Sequence, residues 1–210
     1  MGCHITGGPS RDFQRTTLGG DKEKPMWLTD FGQARSESMK SRKPIMLQFE
    51  REGCGGCKRL YESTYKDNEV DKELTEWFIL LRLDILKDRE ARKEYSAYWT
   101  PSFYFTDYSG KLFYKFNGYL PPVEFGAMLR LALCEYLIPK GRYDDALSAL
   151  ESDADGLTRS TLFPKLELQK GIVLYLKHRD NKEFKNIMGD IRKKYPGSLE
   201  SYMYFWGDGI

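Results

Sequence analysis

The spacing of apolar residues divides this chain into recognisable segments. Trp27-Leu28-Thr29-Asp30-Phe31 opens a stretch that reads as a helix to about Arg42, with Ala34 and Met39 among polar neighbours, and Pro44 closes it. Ile45-Met46-Leu47-Gln48-Phe49-Glu50 is an apolar run of strand length. After Gly53 the pattern turns helical from Cys54 to Tyr65, and Asn68 is placed to cap a further helix over Glu69 to Trp77. Phe78 to Asp84 reads as a second buried strand, and the polar stretch Lys87 to Tyr98 as a helix. Ser102 to Thr106 and Lys111 to Phe116 flank Asp107-Tyr108-Ser109-Gly110, the pattern of a β-hairpin. Pro121-Pro122 then starts a helix whose apolar face carries Val123, Ala127, Leu131 and Cys134.

The order is helix, strand, helix, helix, strand, helix, strand, strand, helix. Early helical crossovers imply parallel strands, and the late hairpin implies antiparallel ones. The expected fold class is α/β, a mixed sheet with helices on both faces. Beyond Leu137 strand patterns stop, and helices are expected from Gly141 to Leu150, Thr161 to Lys177, Asn181 to Tyr195 and Ser198 to Trp206. These boundaries divide the chain into a flexible tail over 1–25, an α/β domain over 26–137 and an all-α domain over 138–210. The last is too short for a large core of its own and must dock on the first domain or on a partner.

Composition narrows the function classes. With 33 Lys+Arg against 31 Asp+Glu, the net charge is +2, which argues against charge-driven nucleic-acid binding. No apolar run reaches the roughly 20 residues of a membrane span. No apolar stretch of secretory type precedes Trp27, so a cytoplasmic location is expected, or a periplasmic one if a leader has been removed. Met1-Gly2-Cys3-His4-Ile5-Thr6 matches the short myristoylation pattern, which is common by chance.

The four cysteines, at 3, 54, 57 and 134, are too few for a disulfide scaffold. With two histidines and no second close pair, a Cys/His zinc site lacks ligands, and no metal is expected. Cys54-Gly55-Gly56-Cys57 is different, because it follows a strand and opens a helix. Unpaired N–H groups and the dipole at a helix N-terminus stabilise a thiolate, which makes Cys54 the candidate nucleophile. Cys57, one turn later, lies within disulfide reach and can resolve a mixed disulfide. A metal clip, persulfide handling or two unrelated core cysteines are the competing uses of the pair. Cys134 reads as an inert core thiol, and His178 as a surface residue.

Lys43-Pro44-Ile45-Met46-Leu47-Gln48-Phe49, Cys54-Gly55-Gly56-Cys57-Lys58 and Thr100-Pro101-Ser102-Phe103 together resemble the thioredoxin superfamily. Glu62 to Val70 narrows the resemblance to thioredoxin-like domains of the type found at the C-terminal end of the bacterial transmembrane thiol–disulfide interchange reductase. The resemblance covers about residues 26 to 136. It implies a thioredoxin fold and a dithiol/disulfide site at Cys54 and Cys57. It also implies a cis-proline at Pro101, with Gly55, Gly56, Thr100 and Pro101 meeting the substrate. No organic cofactor is implied, because the electrons reside in the dithiol. The implied partners are a protein or peptide disulfide and a reductant or oxidant that resets the pair.

Three positions depart from that family. Gly53 stands where Trp usually precedes the first cysteine, and Gly56 where Pro is common. Gln48 matches the buried Asp that helps deprotonate the second cysteine, and Gln is not a base. Glu50, two residues along the same strand and so on the same face, is the candidate substitute; otherwise it is a solvated strand-end carboxylate.

In the tail, Lys140 to Leu147, and then Leu166, Gly171, Tyr175 and Tyr195-Pro196-Gly197-Ser198, resemble degenerate tetratricopeptide units. Their spacing exceeds the about 34 residues usual for that repeat. Such units bind peptides; the alternative is a helical cover for the sheet. Tyr202, Tyr204, Phe205 and Trp206 are either an anchor for a partner or part of the packing. The leading function is thiol–disulfide oxidoreduction on protein disulfides. The alternative is a protein-binding module built on a thioredoxin-fold scaffold.

Overall fold

A computed structural model describes residues 26–151 and 154–203. Cys3, His4, the Met1–Thr6 pattern and the aromatic residues 204–206 lie outside the described residues. The strands are β1 (Ile45–Glu50), β2 (Ile79–Asp84), β3 (Ser102–Thr106) and β4 (Leu112–Asn117). They form one sheet in the order β2-β1-β3-β4. β1 pairs parallel with β2, and antiparallel with β3, which pairs antiparallel with β4. This is the mixed sheet of a thioredoxin fold. Leu28 adds a parallel bridge to Leu81, so the segment read as the start of the first helix is extended.

Helices α1 (Phe31–Ser41), α2 (Gly55–Glu62), α3 (Asn68–Trp77), α4 (Arg89–Glu94) and α5 (Pro122–Leu137) surround the sheet. Asp30 Oδ1 accepts from Gln33 N at 2.7 Å and sets the start of α1. The cap of α3 differs from the expected Asn68. Asp67 supplies it, accepting from Glu69 N at 3.0 Å and Val70 N at 3.1 Å. The chain leaves the 3₁₀ turn Thr64–Lys66 extended at Asp67, and an N-cap needs that extended backbone. α4 is shorter than the expected 87–98 because Ser96 turns left-handed at φ 51°.

Side chains of β1 alternate between two cores. Ile45, Leu47 and Phe49 pack with Leu81, Leu83 and Tyr104 below α1. Met46 packs on the other side with Leu74, Phe103, Phe105 and Phe125, under α3 and α5. Burial on both faces explains why β1 reads as an apolar run, broken only at Gln48 before its end at Glu50, rather than as an alternating one.

The tail comprises α6 (Tyr143–Glu151), α7 (Ala154–Leu157), α8 (Phe163–His178), α9 (Asn181–Lys194) and α10 (Leu199–Tyr202). It continues the core under α3 and α5: Ala146, Leu150, Leu166 and Val173 belong to the same apolar cluster as Phe103 and Phe105. Twelve of the sixteen residues of α5 are buried, more than one packed face accounts for, because α5 lies between the sheet and the tail. No helix among the described residues is long and apolar enough to cross a membrane.

Candidate active site

β1 ends at Glu50, and Gly53 turns the chain at φ +73°, a left-handed conformation that favours glycine. That turn brings Cys54 to the N-cap of α2, in extended backbone. Cys57 N donates to Cys54 Sγ at 3.2 Å, so the sulfur itself caps the helix. Cys54 and Cys57 are joined in a disulfide with their Cα atoms 5.3 Å apart. Cys54 is 9% exposed and Cys57 4%, so both are largely buried and the first has slightly more surface.

The Thr100–Pro101 peptide bond is cis. Pro101 O accepts from Gly118 N at 2.8 Å, which ties the start of β3 to the end of β4. The proline ring faces α2 so closely that a Cβ on Gly56 would lie 2.8 Å from Pro101 Cδ. Gly55 has open space at the same test. The two glycines between the cysteines therefore have different surroundings: Gly56 is packed against Pro101, and Gly55 faces outward. Tyr98 and Trp99, just before Thr100, are exposed.

Behind the cysteines lies a polar network. Gln48 is fully buried, and Tyr65 O–H donates to its Oε1. Gln48 Nε2 donates to Glu50 Oε2 at 3.1 Å and to the Tyr61 oxygen at 3.3 Å. Tyr61 O–H in turn donates to Glu50 Oε2. Arg82, on β2, donates from Nη1 to the Tyr61 oxygen at 3.2 Å and pairs through Nε with Glu50 Oε1 at 3.4 Å. Burial, reinforced by the hydrogen bond to Glu50, pushes the Tyr61 phenol up to about 12. Burial also holds Tyr65 well above the usual range. Both phenols stay protonated near neutral pH and act as donors.

Glu50, Cys54, Cys57 and Tyr61 line one cleft of about 470 Å³, together with Glu52 and Lys58. Gln48, Glu50, Cys54, Cys57 and Pro101 are thus collected at one end of the sheet. Tyr61, Tyr65 and Arg82 join them without having been singled out in the sequence. For Tyr61 a signal existed: it lies four residues after Cys57, on the same face of the helix. Cys134 stands apart, buried in α5, where desolvation raises its thiol to about 12.

Residues 31–133 match the family model of the thioredoxin-like domain. This segment is a thioredoxin-like domain. No curated protein matches the chain at a significant level. Among solved structures, a thioredoxin from Thermus thermophilus is 20% identical, covering 52% of this chain and 87% of its own, with a TM-score of 0.47. The DsbH oxidoreductase is 18% identical, covering 60% and 94%, with a TM-score of 0.48. A thioredoxin-fold protein from Helicobacter pylori is 23% identical, covering 65% and 87%, with a TM-score of 0.41. Identities and scores at this level assign no activity. The thioredoxin-like domain and its paired cysteines support a thiol–disulfide oxidoreductase in general.

Proposed function

We propose that the chain exchanges electrons with protein disulfides through Cys54 and Cys57, Cys54 attacking and Cys57 resolving. The observation that carries this reading is the place of Cys54 at the N-cap of α2, its sulfur held by Cys57 N–H, with Pro101 packed against Gly56 between the two cysteines. In the reduced protein the same N–H groups and helix dipole stabilise negative charge on Cys54 Sγ.

In the reducing direction, Cys54 thiolate attacks one sulfur of the client disulfide. A Cys54–client S–S bond forms, and the other client sulfur leaves as a thiolate. Cys57, having lost its proton, then attacks Cys54 Sγ. The Cys54–client bond breaks, the second client sulfur leaves, and Cys54–Cys57 is oxidised by two electrons while the client is reduced by two. A dithiol reductant resets the pair; run backwards, a disulfide oxidant drives the same steps. The proton of Cys57 passes to Glu50, whose carboxylate, held by Tyr61, Gln48 and Arg82, lines the same cleft. Gln48 in the buried position cannot take it.

The test is trapping. Cys57→Ser is expected to accumulate a mixed disulfide with a client through Cys54, and Cys54→Ser to accumulate none. Equal trapping by both variants, or by neither, would overturn the assignment.

A second reading, recruitment of a protein without turnover, draws on the tail, where Tyr175, Leu199 and Tyr202 are exposed. It expects Cys54→Ser/Cys57→Ser protein to bind a client as tightly as the parent.

A further inference from the structure

The buried position next to the cysteines holds an amide, and the nearest carboxylate belongs to a strand-end residue with 24% of its side chain exposed. A glutamate there has rotamers that point into water, and a general base must stay within reach of the proton it removes. Something must therefore fix Glu50. Three groups contact its carboxylate. Arg82 reaches Oε1 at 3.4 Å from the neighbouring strand. Gln48 and Tyr61 both donate to Oε2.

Tyr61 differs from the other two because it stands on α2, the helix that carries the cysteines. It lies one turn beyond Cys57 on the same helical face, and both line the cleft with Glu50. Its ring is locked edge-on to Tyr65 at 5.5 Å, and its oxygen accepts from Arg82 and Gln48 while its proton goes to Glu50. With two donors aimed at its oxygen, the phenol has one direction left for its proton, and Glu50 occupies it.

We propose that Tyr61 is a positioning residue for the resolving step, registering the Glu50 carboxylate against the helix that carries Cys57. This rests on the reading above in which Cys57 resolves and Glu50 accepts its proton. Tyr61 does not accept that proton; burial keeps its phenol protonated. It serves to keep the base on the cysteine side of the strand, so that movement of α2 carries the base along with Cys57.

The test is a double-mutant cycle on the full chain, read as the ratio of resolution rate to attack rate in a single turnover with a generic peptide disulfide. General-base contributions of about a hundredfold or more leave room for a clear effect. Glu50→Gln is expected to lower the ratio by about that factor. Tyr61→Phe keeps the ring and its packing and is expected to lower the ratio by about tenfold or more. The double variant is expected to be no slower than Glu50→Gln alone, because a residue that acts only through Glu50 has nothing further to lose. A structural role would instead add its own loss to that of Glu50→Gln. A normal ratio in Tyr61→Phe, or additive losses, overturns the proposal while leaving the redox reading intact. A normal ratio in Glu50→Gln removes the base and the positioning role together. Failure to form any mixed disulfide, even with Cys57→Ser, rejects the redox reading itself.

Discussion

Gly56 Cα and the Pro101 ring are packed so that a single added methyl group would sit 2.8 Å from Pro101 Cδ. Gly55, the preceding residue of the same helix, has nothing within 4 Å of that position. Alanine at a helical glycine gains up to about 1 kcal/mol from the unfolded chain where it fits. At Gly56 an overpacking cost of about 1–3 kcal/mol opposes that gain. Gly55→Ala is therefore expected to melt at or above the parent temperature. Gly56→Ala should be less stable than Gly55→Ala by about 1 kcal/mol or more. Urea unfolding of the two variants side by side measures the difference. Equal stabilities would mean that the proline ring yields without cost.

The strands and the cysteine helix were legible in the sequence for a simple reason. β1 is buried on both faces, so Ile45 to Phe49 is apolar except at Gln48, and β3, also buried throughout, is aromatic from Phe103 to Phe105. The site was legible only as far as contiguous residues carry it. Cys54 and Cys57 announce themselves by spacing, and Glu50 by strand periodicity. The network around Gln48 is drawn from α2, β2 and the turn after α2, and a partner such as Arg82 is fixed only when β1 and β2 pair in register, Gln48 opposite Arg82. The displaced cap of α3 has a different cause. Asp67 and Asn68 are equally good capping side chains, and the choice between them was made by the 3₁₀ turn before them.

Cys134 and Cys54 should differ sharply toward alkylating reagents. Burial holds the Cys134 thiol near 12, so almost no thiolate exists at neutral pH and none is presented to solvent. In reduced protein at pH 7, site-resolved mass spectrometry is expected to find Cys54 modified first and Cys134 unmodified until the chain is denatured. Early modification of Cys134 would indicate that α5 separates from α6 in the native state, since its sulfur lies against Ala146 O at 4.0 Å.

Glu73 and Arg130 form a buried ion pair, Oε1 to Nη2 at 2.5 Å, with 7% and 3% of their side chains exposed. Burial pushes Glu73 up to about 7, and the Arg130 charge only partly offsets it. Because the folded value lies above the unfolded one, the folded chain holds the proton longer. The corresponding stability is fully present below about pH 4.5 and is lost as pH rises through about 7. Glu73→Gln removes that titration. Relative to the variant, the parent is expected to lose about 1–3 kcal/mol between pH 4.5 and pH 8. Urea midpoints across that range check the sign. A parent that gains on the variant as pH rises would mean that the ion pair outweighs desolvation.

Ending the chain at Leu137 tests whether the helical tail is separable. α5 is enclosed by the sheet on one side and by α6 and α8 on the other. Arg130 Nε donates to Ala149 O at 3.1 Å, so the buried guanidinium of the ion pair depends on a carbonyl of the tail. Removing the tail takes that acceptor away and bares the apolar side of α5. Each large side chain exposed costs about 1.5–3 kcal/mol, and a domain of this kind has about 5–15 kcal/mol in all. Three or four such side chains cost about 5–12 kcal/mol, most of that total. The shortened chain is therefore expected to lose cooperative unfolding, bind a hydrophobic dye and aggregate. Its turnover of a small disulfide should fall with the folded fraction rather than through any change at Cys54. A cooperative transition close to that of the full chain, with unchanged turnover, would instead make residues 26–137 a self-sufficient domain. The tail would then be free to serve as a recruiting surface.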